Sequence, residues 1–392
     1  MNSGTGRLAH ETTCHNGLHG SDQRVEVEAL TRNLRVAFFA DAYLDYSLEL
    51  AAELAPRVDL TVIRPAGWDE LAQMQDPPSN VVAFPRSRMR DPRSAVRARR
   101  LVRSLAELPI DVLHVQASNN PWINLAMGST ELPMSIVQTV HDVTRHPGDR
   151  RTSRAGSWTA RRWREHVDRF IVHTDGIGHD LTRFWDVPRD RWSVVPHGEL
   201  GSCYRRHGVT NPAAEREDAT VLFFGRIWPY KGLDVLIHAL AATDRPTRLI
   251  IAGKGEPIDE YTAGLPSHVD VEVHEGFVDH EATLRLFERA TIVCLPYREA
   301  SQSGVAALAV GLGVPIVASN VGGIGETLRP EVDALLVSPD EPVELAAAIG
   351  RLLDQPVLRQ RMSASQAERA TGDMSWASIA DQTLSVYRSV LR

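Results

Sequence analysis

Five short stretches in the second half of the chain place glycine, charged or hydroxyl side chains at or just after the ends of strand-like runs. The first is Val221-Leu-Phe-Phe-Gly-Arg-Ile-Trp-Pro-Tyr-Lys-Gly-Leu. Its strand pattern stops at Gly225, where the missing Cβ lets the backbone approach a ligand. Arg226 and Lys231 then flank the start of an amphipathic helix, and two cations beside free helix N–H groups suit a diphosphate. For such a pair in isolation, a solvated basic loop is the plainer alternative. The second stretch, Leu249-Ile-Ile-Ala-Gly-Lys-Gly-Glu, lacks the full dinucleotide fingerprint, which sets NAD aside. The third is His274-Glu-Gly-Phe-Val. The fourth, Leu295-Pro-Tyr-Arg-Glu-Ala-Ser-Gln-Ser-Gly-Val, offers Glu299 as an acceptor for sugar hydroxyls. There Ser303, Gly304 and Val305 open a helix whose hydroxyl and N–H groups can hold a phosphate. The fifth, Val321-Gly-Gly-Ile-Gly-Glu, is a glycine-rich turn into a helix.

The first half offers less. His141, in Thr139-Val-His-Asp, ends an apolar run, and a neutral imidazole there can hydrogen-bond a sugar or carry a proton. A strand-end cap is the alternative. His197, in Val195-Pro-His-Gly, reads as structural, and His146 falls in a loop. No Asp-x-Asp occurs, so phosphate charge falls to Arg226, Lys231 and helix starts, with no metal and no cofactor expected.

Strands of four to seven residues at 34–40, 58–63, 110–115, 135–140, 170–173 and 192–196 alternate with helical patterns, including Arg-rich ones at 86–106 and 154–169. That rhythm predicts parallel β-α-β units covered on both faces. It breaks over 198–219, a Gly/Pro/Asn stretch, and restarts with strands at 220–224, 248–252, 269–273, 291–295 and 314–318. The expected fold is therefore α/β with two doubly wound, Rossmann-like domains facing a cleft. The expected boundaries are a disordered leader over 1–33, a domain over 34–200, a linker over 201–219, a domain over 220–374, and a closing helix over 375–392 that could pack back on the first domain. Ligands of open α/β sheets bind at the carboxyl edge of the strands.

With 392 residues and a formal charge of −7, the chain is long enough for two cores and too acidic for a general nucleic-acid binder. No apolar run reaches membrane-spanning length, and the scattered Cys14, Cys203 and Cys294 imply no disulfide framework, which fits a cytoplasmic protein. His10, Cys14, His15 and His19 match no standard zinc spacing. Lys231 and Lys254 are the only lysines among many arginines, a bias that GC-rich coding explains. The Arg-rich helices fit solvated faces better than a patch for a membrane surface or an anionic acceptor.

Taken in order, Gly-Arg…Lys-Gly, Ala-Gly-x-Gly, Glu-Gly-Phe-Val, Pro-Tyr-x-Glu, Gly-Val-Pro-Ile-Val-Ala-Ser and Gly-Gly-x-x-Glu resemble the retaining family-4 glycosyltransferases of GT-B fold. The match is dense over about 220–350 and looser over 34–200. The resemblance implies donor-diphosphate roles for Arg226 and Lys231, and a nucleobase site at the backbone of Phe277 and Val278. It implies phosphate contact at Ser303, Gly304 and Val305 and catalytic roles for His141, near the reacting centre, and Glu299, through contact with the donor sugar. Two positions depart from the family pattern: Leu308 stands where a second glutamate would reach the ribose, and Asp41-Ala-Tyr-Leu-Asp-Tyr replaces a glycine-rich loop. The implied reaction moves a hexose or amino sugar from a nucleoside diphosphate sugar, UDP first, to a hydroxylated acceptor such as an aminocyclitol or other natural product. A lipid-linked or polysaccharide acceptor, an epimerase or phosphorylase on the same fold, and an inactive sugar-nucleotide-binding module are the alternatives.

Overall fold

The computed structural model describes residues 33–67, 80–85, 91, 93–117, 120–144, 154–207 and 216–391. The leader with its histidines and Cys14, His146, and Arg86, Arg88 and Arg90 lie outside these residues.

The first sheet draws on β1 (Arg35–Ala40), β2 (Asp59–Pro65), β3 (Asn80–Phe84), β4 (Val112–Ala117), β5 (Ser135–Val140), β6 (Arg169–Val172) and β7 (Trp192–Val194). Its order is β3-β2-β1-β4-β5-β6-β7, and every pairing is parallel. The accompanying helices are α1 (Leu44–Leu54), α2 (Arg93–Glu107), α3 (Pro121–Met127), α4 (Arg154–Arg164) and α5 (Asp175–Trp185). One core on this sheet is built around Phe39, Trp163, Phe170 and Trp192, all at most 1% exposed.

A further helix, α6 (Gly201–His207), precedes the second sheet. That sheet draws on β8 (Thr220–Phe224), β9 (Thr247–Gly253), β10 (Val269–Glu275), β11 (Ile292–Leu295), β12 (Ile316–Ser319) and β13 (Ala334–Val337). Its order, β10-β9-β8-β11-β12-β13, is again wholly parallel. Around it lie α7 (Leu233–Ala241), α8 (Asp259–Thr262), α9 (His280–Arg289), α10 (Gly304–Leu312), α11 (Gly322–Thr327), α12 (Pro342–Asp354), α13 (Pro356–Thr371) and α14 (Trp376–Ser389). Separate apolar clusters cover its two faces, which is why its central strands are uniformly apolar.

In each sheet the strand order reverses once, between β1 and β4 and between β8 and β11. The connections leave in opposite directions there, so a crevice opens beyond the strand ends. The last helix, α14, packs on α1, and the Tyr387 hydroxyl meets His114 Nδ1 at 2.6 Å under the first sheet.

Several features differ from the sequence expectation, the unforeseen helix α5 among them. β3 was not expected; it is an edge strand exposed along most of its length, so its apolar residues carry no buried signature. The stretch expected as a linker over 201–219 begins with helix α6, seated against α9 and α10. The second Arg-rich helix ends at Arg164, because Asp168 turns back to accept the Ile136 N–H at 2.7 Å and starts β6. The glycines of the Ala-Gly-Lys-Gly turn serve backbone packing: a Cβ on Gly253, whose φ is +149°, would sit 1.6 Å from the Gly225 carbonyl oxygen.

Candidate functional site

A cleft of about 290 Å³ opens where the two switch points face each other. From the second half it is lined by Gly225, Arg226, Tyr230, Lys231, Gln302, Ser303, Gly304, Val305 and Leu308, and from the first by Tyr43 and Asp142. The cationic wall is built by the loop after β8. Gly225 turns that loop at φ +119°, and Gly232 ends it at φ +67°. A Cβ on Gly232 would lie 1.9 Å from the Pro296 carbonyl oxygen, so the loop can press against the end of β11 only with glycine there.

Arg298 fixes the loop from below. Its guanidinium donates to the Pro229 carbonyl at 2.7 Å and to both Asp234 oxygens at 2.9 and 2.8 Å, and its N–H donates to the Tyr230 carbonyl at 2.8 Å. The fork holds the Asp234 carboxyl below its ordinary range. Lys231 Nζ stands 3.6 Å from the centroid of the buried Tyr297 ring, a cation–π contact that aims the ammonium without neutralising it. Across the loop, Ser303 caps α10, its Oγ accepting from the Ala306 N–H at 3.2 Å. Lys231, the exposed Arg226 and the first N–H groups of a nine-residue helix thus border one space.

The opposite wall is closed by an aromatic ring. Tyr43, at φ 56°, lays its ring on His141 with centroids 3.7 Å apart and planes 21° apart. His141 is 2% exposed and does not line the cleft. It belongs to a buried chain in which Gln116 Nε2 stands 2.8 Å from His141 Nε2, and His141 Nδ1 stands 3.2 Å from His173 Nε2. His173 Nδ1 is 3.0 Å from the Val195 carbonyl oxygen, and His197 Nδ1 is 2.7 Å from that of Gly198. One set of neutral tautomers satisfies every link, each imidazole donating from Nδ1. Burial drives all these pKa values down, to about 3 for His173, about 4 for His197 and well below the ordinary value for His141.

Of the residues singled out in the sequence, Gly225, Arg226, Lys231, Ser303, Gly304 and Val305 come together in the cleft. Glu299 is exposed and outside the lining, Phe277 is 89% exposed at the end of β10, and Val278 packs on the second core. Leu308 faces the cleft from α10. Sequence reading missed Tyr43, Asp142, Gln302 and Arg298, although the last three lie inside quoted motifs and Tyr43 inside the noted departure at 41–46. The signal was present as residue type, and only the fold shows which neighbour turns inward.

Residues 218–355 match the model of glycosyl transferases group 1, and residues 45–198 match that of Glycosyltransferase Family 4. The chain belongs to the family-4, group 1 glycosyltransferases. Among its curated relatives, a D-inositol 3-phosphate glycosyltransferase from a Nocardioides species is 32% identical over 57% of this chain and 54% of its own length. A glycogen synthase of Mycobacterium tuberculosis is 28% identical over 72% of this chain and 69% of its own length. The chain thus spans about half of the first relative and two thirds of the second. Solved structures share the GT-B fold. A glycosyltransferase of Rickettsia africae covers 91% of this chain and 98% of its own at TM-score 0.69 and 14% identity. The Anabaena HepE protein in complex with UDP covers 91% and 100% at TM-score 0.69 and 16% identity. Among the described residues, no helix is long and apolar enough to cross a membrane.

Proposed function

We propose that this glycosyltransferase moves a hexose or amino sugar, with retention, from a uridine diphosphate sugar to a hydroxylated small molecule. An aminocyclitol or another polyol is the favoured acceptor class. The observation that carries the reading is the convergence of Arg226, Lys231 and the Ser303-capped start of α10 on one cleft at the switch point. The family of the chain, UDP in the Anabaena protein, and inositol phosphate in the name of the Nocardioides relative agree with it.

In this reading the donor diphosphate lies between Lys231, Arg226 and the α10 N–H groups, which offset the charge that grows as the glycosidic bond to phosphate breaks. The acceptor hydroxyl attacks from the face the phosphate leaves, and a phosphate oxygen takes its proton. Asp142, on the far wall, orients the acceptor by accepting from its hydroxyls. His141 acts through Tyr43, as the buried floor that holds the ring in place. The nucleobase would lie toward Phe277 and Val278, with Glu299 at the sugar end of the cleft mouth. A ribose above α10 meets the methyl groups of Leu308 rather than a carboxylate.

Incubation with a panel of nucleoside diphosphate sugars, followed by product analysis, tests this. Slow release of UDP from one or more UDP-sugars, accelerated by an added polyol, is expected. If no nucleotide sugar binds or is consumed, the transferase reading fails. Turnover that requires inorganic phosphate instead would make the protein a phosphorylase.

A further inference from the structure

Outside the cleft lining, three side chains with metal-ligating atoms meet at one point. Asp45 lies in the first turn of α1, Cys203 in the middle of α6, and His280 is the first residue of α9. One ligand atom from each lies within 4.8 Å of the other two, and Asp45 Oδ1 is 3.1 Å from His280 Nε2. Cys203 is buried, whereas the Asp45 and His280 side chains are 27% and 28% exposed. The edge of the Tyr204 ring packs on the imidazole, with centroids 4.6 Å apart, and holds its orientation.

We propose that Asp45, Cys203 and His280 bind one zinc ion, with solvent as fourth ligand on the exposed side. A tetrahedral site with bonds of about 2.0–2.3 Å needs ligand pairs about 3.3–3.8 Å apart. Adjustments of at most about 1.5 Å therefore bring all three atoms into place. A thiolate with an imidazole and one carboxylate selects zinc or cobalt(II) and disfavours magnesium and calcium. Binding requires the Cys203 thiolate and the neutral His280 imidazole, so the thiol gives up its proton to solvent as the ion binds. The ligands come from a helix of the first sheet, the connecting helix and a helix of the second sheet, so the ion would tie the two halves together. Tyr204, next to Cys203 in sequence, and Tyr43, two residues before Asp45, line the cleft, so the tie sits at its rim. Its role is structural or regulatory, apart from the phosphate grip on Arg226 and Lys231.

The test uses the full chain after exhaustive chelation, titrated with cobalt(II) and then zinc. The expected result is one cobalt per chain with a thiolate-to-cobalt absorption band, displaced by one equivalent of zinc. Cys203→Ser should abolish the band, His280→Asn should weaken binding at least tenfold while leaving the fold intact by circular dichroism, and Cys294→Ala should bind as the parent does. Absence of the band in the parent overturns the proposal, and so does a band that survives in both Cys203→Ser and His280→Asn. Should Cys203→Ser not fold, unweakened binding in the partly exposed His280→Asn is sufficient to overturn it.

Discussion

The two switch-point edges have the same topology and opposite chemistry. At the second, a loop pinned by Arg298 holds Arg226 and Lys231 toward solvent beside a helix start. At the first, an aromatic ring covers imidazoles that burial keeps neutral. Parallel sheets thus supply a crevice at either edge, and the loop residues decide whether it becomes an anion clamp or a closed wall. Under the proposed function, the donor binds at the second edge and the first positions the acceptor.

The largest expected effect tests that division directly. Lys231→Ala should lower kcat/KM by about 10²–10³-fold, on the scale of losing one aimed donor in an oxyanion site. Arg226→Ala, at a more exposed cation, should cost about tenfold through donor KM. Asp142→Asn should act on the acceptor KM. Steady-state kinetics with each substrate varied separate these outcomes, and the comparison breaks if Asp142→Asn raises donor KM more than Lys231→Ala does.

Next in size is the pH response of the buried histidines of the first half, those of the closed wall among them. His114 and His173 are held near pKa 3 and His197 near 4, with His141 also strongly lowered, whereas the unfolded chain titrates near the ordinary value of 6.5. Between about pH 4 and 6.5 the unfolded state binds more protons, so acidification there favours unfolding, while above about pH 7 these groups contribute no slope. Each such histidine adds up to about 1.4 kcal/mol of lost stability per pH unit. Urea midpoints should therefore be level from pH 7.5 to 7 and drop steeply by pH 5.5. His173→Gln should make the descent shallower. A parent profile that stays flat to pH 5 would show that the wall is hydrated and open.

The same contrast explains what the sequence could disclose. The alternation of apolar strands and helices was legible because buried parallel strands must be apolar along their whole length. The cationic edge was legible too, since glycine, arginine, lysine and serine sit within a few residues of one another along the chain. The closed edge was not. Its histidines come from positions 141, 173 and 197, its cover from 43 and its donor from 116, and nothing local links them. Helix α5 was missed for a similar reason. Gly178 weakens its helical signature, yet a Cβ there would fall 2.3 Å from the Trp192 ring, a constraint visible only after folding.

The smallest expected effect concerns a contact belonging to neither edge. Glu326, on α11 of the second half, accepts the Gly176 N–H with both oxygens, at 3.1 and 3.2 Å, at the start of α5 in the first half. A carboxylate at a helix N-terminus contributes about 0.3–1 kcal/mol, less in salt. Glu326→Gln keeps an acceptor but removes the charge, so Tm should fall by about 1–3 °C, and the difference should shrink as salt is raised. Because the contact bridges the halves without touching the cleft, donor and acceptor KM should each change less than twofold. A larger shift in donor KM alone would mean that the second edge needs this bridge to keep its cations aimed. The clamp would then be a property of both halves together rather than of one loop.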